Sequence, residues 1–338
     1  MIQQAKEFIW EYCEAFDNTD ADSLPELFSQ FVTDDYNWKG VYPFREISGY
    51  DEVIEQFWRP LKEAVTNLQR RIDIFIGGSN EIEDNRESKN QAVWVMNMGH
   101  FTGLFDKPWL DIPPTGKMLN IRYAEFHRIE NNKITDTGLF IDLIGVMQQA
   151  GVYPLPPSTG QYFVYPGPRN HQGILRGESD PLQTQKTLDT VNMMIDDLNQ
   201  LNLSGAMGCP PEVLARTWHQ NMTWYGPCGI GASYTIERYQ KQHQLPFRNG
   251  LGDKKYNGHV CRFADGELAC FFGWPNLTNT PIGGFLGMPS SVQADMQVVD
   301  IYYRKDDKLS ENWVFIDIPW WLKQQGLDVL ERMRETQV

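Results

Sequence analysis

The sequence predicts an α+β protein made of two copies of one domain, each a set of helices followed by a curved antiparallel sheet. Three observations lead there. Phe140-Ile141-Asp142 reappears as Phe315-Ile316-Asp317, each time at the end of a hairpin-like run and just before a glutamine-containing turn of helix. The match keeps step on both sides, with Lys133 against Lys308, Gln149 against Gln324 and Gly151 against Gly326. At 338 residues the chain suits two domains of about 150 residues better than one core.

The elements follow from hydrophobic period. Ala5, Phe8, Ile9, Tyr12 and Phe16 fall on one face of a helix over Gln3–Phe16. A short helix carrying Leu24, Leu27 and Phe28 follows, with Asp20 or Asp22 as its N-cap. Tyr36–Val41 reads as a short strand, and Val53, Ile54, Phe57, Trp58 and Leu61 mark a third helix from Tyr50 to Val65. The pattern then turns to strands at Arg71–Ile76, Gln91–Phe105, Met118–Ile129 and Lys133–Leu143, the last two joined by the tight turn Glu130-Asn131-Asn132.

Residues 156–180 are rich in Pro and Gly, yet Tyr162, Phe163 and Tyr165 are too apolar for a free tether. They read as an ordered linker, or an arm lying over a neighbour, between domain 1 (1–155) and domain 2 (181–338). The element order then repeats. A helix over Thr184–Leu203 leads to a short helix after Pro210-Pro211, a strand at Met222–Tyr225 and a helix at Thr235–His243. Strands follow at Gly258–Phe263, Leu268–Gly273, Ala294–Arg304 and Leu309–Ile318, with Asp265-Gly266 as a hairpin turn.

Composition narrows the function. A formal charge of −14 argues against a nucleic-acid backbone or an anionic membrane surface as partner. The amino terminus is amphipathic and carries early acids, unlike a signal peptide, and no run approaches the ~18 apolar residues of a spanning helix. Five scattered cysteines without a CxxC pair read as reduced thiols, and a cytoplasmic location is expected. No histidine pair has metal-ligand spacing and no dinucleotide, P-loop or nucleophile-elbow motif is present, so neither metal nor cofactor is expected. Cys228, between Pro227 and Gly229, is either an exposed nucleophile or an incidental turn cysteine.

Gly99-His100-Phe101-Thr102-Gly103-Leu104-Phe105, Pro114-Thr115-Gly116-Lys117, the hairpin ending in Asp142 and the helix reaching Gly151 resemble the SnoaL-like polyketide cyclase branch of the NTF2-like superfamily. The second half resembles it more faintly, through Gly283–Pro289 and the strand ending in Asp317. The resemblance implies two cone-shaped domains, each a curved sheet wrapped on its helices around a mostly apolar pocket. It implies an acid/base Asp on the last strand, a position that Asp142 and Asp317 match. The family's cyclases often carry a His two residues earlier, where this chain has Phe140 and Phe315. The resemblance also implies pairing through the sheets, as a homo-oligomer or an internal pseudo-dimer.

Asp142 lies among Leu139, Phe140, Ile141, Leu143 and Ile144, which would raise the pKa of a pocket acid; alternatively it caps the helix that follows. The same choice holds for Asp317, where Pro319 favours a cap. Glu125 and His127 share a strand face, as do Asp300 and Tyr302 in the second half; they are partners of the two Asp residues or simply a solvated face. His100 is a pocket-mouth or a core histidine. Trp38, Tyr42, Trp58, Trp94, Trp224 and Trp274 are candidates to stack on a flat ligand, although most aromatic residues belong to cores. The expected function is cofactor-independent acid/base chemistry (cyclase, isomerase, dehydratase or hydrolase type) on an apolar carbonyl-bearing small molecule, with the first domain favoured. The alternative is a non-catalytic binding or oligomerisation protein.

Overall fold

The computed structural model describes residues 1–83, 92–204 and 209–336. Two compact units emerge, one of Met1–Pro154, Pro166–Glu178 and Asp328–Val338, the other of Leu155–Tyr165 and Ser179–Leu327. Among the described residues no helix is long and apolar enough to cross a membrane.

In the first unit the helix Ile2–Asn18 buries Ala5, Ile9, Tyr12, Cys13 and Phe16 against the sheet. The strands are β1 (Val32–Gly40), β2 (Arg45–Ser48), β3 (Val65–Ser79), β4 (Val93–Phe105), β5 (Lys117–Glu130) and β6 (Lys133–Ile141). They lie in the order β2-β1-β6-β5-β4-β3, antiparallel except for the β1–β6 pair. The third expected helix is a run over 50–64 containing one π turn, Ile54–Trp58. β3 is far longer than the expected Arg71–Ile76, because polar positions such as Gln69 and Arg71 break its apolar pattern while its backbone stays paired with β4. Gln91, the expected start of the next strand, lies outside the described residues. Asn131 and Asn132 take left-handed conformations (φ 48 and 56), as a two-residue hairpin turn requires.

The second unit has β7 (Trp218–Tyr225), β8 (Ala232–Tyr234), β9 (Leu251–Tyr256), β10 (Cys261–Asp265), β11 (Leu268–Pro281), β12 (Ala294–Lys305) and β13 (Lys308–Ile316). Its order, β8-β7-β13-β12-β11 with β9 and β10 both on β11, repeats that of the first, including a parallel β7–β13 pair. β2 and β9 are strands that periodicity did not pick out, both being short and mostly polar. The expected helix Thr235–His243 extends over 236–250 with a π turn at Gln240–Gln244, matching the one in the first unit. The segment between the sheets is clamped to two strand edges. Gln161 bridges Ala232 of β8 within the second unit, and Ile174 bridges Phe75 of β3 within the first.

The repeated residues are scaffold. Gln149 grips both backbone groups of Asn120, accepting from its N–H at 3.0 Å and donating to its carbonyl at 2.9 Å. Gln324 does the same to Asp295, at 2.9 and 2.8 Å. Lys133 donates to Ser29 O and Gln30 O at the end of a helix (2.9 and 2.7 Å), and Lys308 donates to Ala215 O at the matching place. Gly151 and Gly326 follow their helices at φ 78 and 87.

A second matched pair is Trp38-Lys39-Gly40 and Trp224-Tyr225-Gly226. Each indole folds back over its glycine so closely that an added Cβ would lie 2.0 Å from the ring. Gly40→Ala and Gly226→Ala should therefore each destabilise the unit that carries it, by roughly 1–3 kcal/mol, the usual cost of overpacking. Chemical denaturation of each variant checks this; an unchanged midpoint for both would mean that the indoles are free to move.

Candidate functional site

Strand period sets what each sheet turns inward. On β5 and β6 the inward row is Ile121, Tyr123, Glu125 and His127 facing Thr137, Leu139 and Ile141. The same row of the second unit, 175 positions on, is Met296, Val298, Asp300 and Tyr302 facing Asn312, Val314 and Ile316. Each sheet thus carries one carboxylate at the middle of its concave face, Glu125 or Asp300. Neither belongs to a solvated face.

The two carboxylates meet opposite surroundings. Glu125 receives Arg70 Nη2 at 3.0 Å and lies 3.3 Å from His127 Nε2, with all three side chains 1 % exposed. The other Arg70 Nη1 donates to Asp17 at 3.1 Å, and the guanidinium sits over the Phe16 ring at 4.3 Å. Burial works to raise the Glu125 carboxyl, but Arg70 and then His127 outweigh it and hold the group down at about 2. Asn97, hydrogen-bonded to Tyr123 at 2.6 Å, closes the cluster. Arg70 is buried inside the first cone among the rings of Phe16, Trp58 and Phe101.

In the second unit Tyr256 on β9 takes the register position of Arg70 on β3, and Phe271 takes that of Asn97. Tyr256 is 39 % exposed and does not fill the interior. A cavity of about 190 Å³ remains. Asp300 stands in its wall, half-buried, with what surface it exposes facing the cavity. Burial pushes its carboxyl up to about 7, against the lowering effect of hydrogen bonds from Asn312 (Nδ2 at 3.1 Å) and the Tyr302 hydroxyl. His243, stacked on Trp224 at 4.2 Å, is held neutral by burial, its pKa lowered to about 3. His259, stacked on Phe271 at 3.9 Å, is lowered to about 3 by burial and then by Arg262.

Asp142 and Asp317 stand elsewhere. Asp142 caps the helix Leu143–Gln149, accepting from Gly145 N at 3.2 Å, and Asp317 caps Ile318–Gln324, accepting from Trp320 N at 3.1 Å. Of the two readings open for these residues, the geometry is that of the cap. The strand ends where each Asp begins, so its side chain meets helix N–H groups and not the cavity. Of the expected ligand contacts, Trp224 lines the cavity. Trp38, Trp58 and Trp94 are buried in the first unit, Trp38 against Phe44 and Phe57, and Trp58 against Phe16 and Phe101. The Tyr42 hydroxyl donates to Asp328 at 2.7 Å, His100 pairs with Asp73 at 3.5 Å, and Trp274 is half-buried away from the cavity. Cys228 is fully buried.

Residues 10–150 match the sequence model of the SnoaL-like polyketide cyclases. The match lies within the first domain and spans less than half of the chain. Among solved structures, a SnoaL-like protein from Jannaschia sp. CCS1 is 20% identical over 39% of this chain and 79% of its own, with a TM-score of 0.28. An NTF2-like protein from Burkholderia xenovorans LB400 is 13% identical over 42% and 97%, with a TM-score of 0.31. An LEH-like epoxide hydrolase from M. tuberculosis is 10% identical over 43% and 92%, with a TM-score of 0.30. Comparison with curated proteins finds no match.

The SnoaL-like domain is thus the half whose interior is occupied by its own ion pair. Arg70→Met strands Glu125 and should cost about 3–5 kcal/mol in urea unfolding of that domain. Because the Glu125 pKa is depressed on folding, its contribution is complete above the unfolded value of 4.5 and is lost as pH falls through about 2. The gap between wild type and Arg70→Met should narrow from pH 5 towards pH 3; a gap independent of pH would remove the ion pair from the account.

Proposed function

We propose that the chain is a cofactor-independent acid/base enzyme acting on an apolar, carbonyl-bearing small molecule, and that its reacting site is the second-domain cavity with Asp300 as the base. The observation that carries this reading is a carboxyl in the wall of a half-open, aromatic-lined cavity, its pKa pushed up to about 7 by burial. Such a group is half ionised at neutral pH, where a general base is most effective. The step is proton abstraction from a C–H next to a carbonyl. The C–H bond breaks, its proton goes to an Asp300 oxygen, and the electron pair delocalises onto the carbonyl oxygen. Tyr302 and Asn312 hold the carboxylate by hydrogen bonds, and His243 stays neutral beside Trp224. The same proton, returned at another atom, serves isomerisation, dehydration or ring closure.

The alternative of a binding module is separated by one experiment. Wild type, Asp300→Asn, Asp142→Asn and Glu125→Gln are compared for deuterium exchange at the α-carbon of a panel of aryl ketones in D2O. Asp300→Asn should lower exchange by about 10²–10⁴-fold, and Asp142→Asn, once corrected for folded fraction, should leave it within a few-fold of wild type. Exchange in wild type should rise with pH through about 7. Exchange that survives Asp300→Asn would end the assignment of Asp300, and no exchange above the buffer rate would favour a binding module.

The raised pKa is also a stability statement. The folded state keeps its proton up to about 7 while the unfolded chain loses it near 3.8, so stability falls as pH rises across that window, by up to about 1.4 kcal/mol per unit. Asp300→Asn should unfold at a higher temperature than wild type at pH 8 and lose that advantage at pH 4. An equal effect at both pH values would mean that the carboxyl is not buried in the sense argued here.

A further inference from the structure

The helical run over 236–250 carries an unanswered charge. Arg248 is 6 % exposed, lines the same cavity as Asp300, and among the described residues no side chain or carbonyl is hydrogen-bonded or ion-paired to its guanidinium. Its Nε is a buried donor without an acceptor. The first domain shows how such a cation is normally met. The run over 50–64 matches the run over 236–250 position for position, each with one π turn, a proline five residues before a strand (Pro60 before Val65, Pro246 before Leu251), and a helix end that passes directly into β3 or β9. In that alignment Lys62 stands where Arg248 stands. Lys62 donates to Phe16 O at 3.0 Å and Thr19 O at 2.8 Å, at the end of the first helix. Among the described residues Arg248 has no such acceptors. A second unmet donor or acceptor lies one and a half turns earlier, where His243 Nδ1 is buried without a partner in the same cavity wall. A buried cation without a counter-charge is costly, and one that faces a cavity is a ready site for an anion.

We propose that Arg248 anchors the carboxylate of an aromatic or otherwise apolar acid in the second-domain cavity, so that the site selects monoanionic carboxylic acids. This rests on the cavity named above as the site, but not on Asp300 being catalytic. The guanidinium accepts a carboxylate through two parallel N–H donors, the apolar body lies along Trp224, Phe271 and Leu277, and neutral His243 supplies one more polar contact. Tyr239 feels both Asp300 and Arg248, which places anchor and acid on one cavity wall within electrostatic reach of a common residue.

The test is calorimetric titration of the full chain with 3-phenylpropanoate and with its neutral isostere 3-phenylpropanamide at pH 7. Wild type should bind the carboxylate at least tenfold more tightly than the amide. Arg248→Met should weaken carboxylate binding at least tenfold and leave amide binding within about twofold, and Arg248→Lys should keep part of the preference. Arg248→Met should also unfold no lower than wild type, since it removes an unpaired buried charge; thermal unfolding confirms that the variant is folded. Equal affinity for the two probes in wild type, a preference that survives Arg248→Met, or no saturable carboxylate binding overturns the anchor. Loss of ketone exchange in Asp300→Asn with no carboxylate preference would leave the base and remove the anchor; a carboxylate preference with Asp300→Asn exchange unchanged would do the reverse.

Discussion

The Arg70–Glu125 pair decides what the inside of the first domain is. A carboxylate at the centre of a concave sheet has lost most of its water, and it must be given a counter-charge, a proton or a ligand. The first domain supplies the counter-charge. Arg70 reaches in from β3, is shared with Asp17, and is wrapped by aromatic rings that exclude solvent from the pair. That arrangement holds Glu125 ionised far below neutrality. The second domain keeps the carboxylate position as Asp300 but not the cation. With Tyr256 in place of Arg70, the interior is left partly empty and the acid holds its proton to about 7.

What the two copies share is therefore what folds them, and where they differ is where chemistry becomes possible. The glutamine clamps, the strand-end lysines, the capping aspartates, the π turns and the tryptophans over glycine recur in both domains. Each satisfies backbone groups or fixes a close approach that the curved sheet cannot do without. Four replacements separate an occupied interior from an open one: Arg70 by Tyr256, Asn97 by Phe271, Phe57 by His243 and Lys62 by Arg248. The strand order is the same with either set.

This division explains how much the sequence could reveal. Repetition exposed the scaffold well: the Phe-Ile-Asp match located the last strand of each sheet and the helix it feeds, and the α+β order followed from periodicity. The same signal pointed at Asp142 and Asp317 as acids, although their recurrence reflects the cap that every copy needs. Glu125 and Asp300 were visible only as one polar residue in an alternating strand, a pattern that a solvated face also gives. Burial of that face depends on the helix laid across it, which no local period reports. Arg70 sat in a polar stretch of β3, one residue before the strand expected at Arg71–Ile76. His243 and Arg248 had no signal at the 175-residue spacing, because the stretch between the helical run and β5 or β12 differs in length. The helical runs align at 186 instead, a spacing announced by Trp38-Lys39-Gly40 and Trp224-Tyr225-Gly226.

The two unmet groups of the second domain also bear on each other. Had Arg248 paired directly with Asp300, the ion pair would have held the carboxylate down and closed the cavity, as Arg70 does with Glu125. Held apart, each keeps its demand: Asp300 favours its neutral form, and Arg248 has no partner among the described residues. With Asp300 protonated the cavity carries one net positive charge from these two groups, which suits one monoanion. An anion bound there without a cation would push Asp300 further from ionisation, since like charges a few ångströms apart repel strongly where water is scarce. Arg248 offsets that repulsion at its source. It is the reason that a bound acid and an ionisable base can share one small cavity, and why the cation matters most in the half of the chain where the interior was left open.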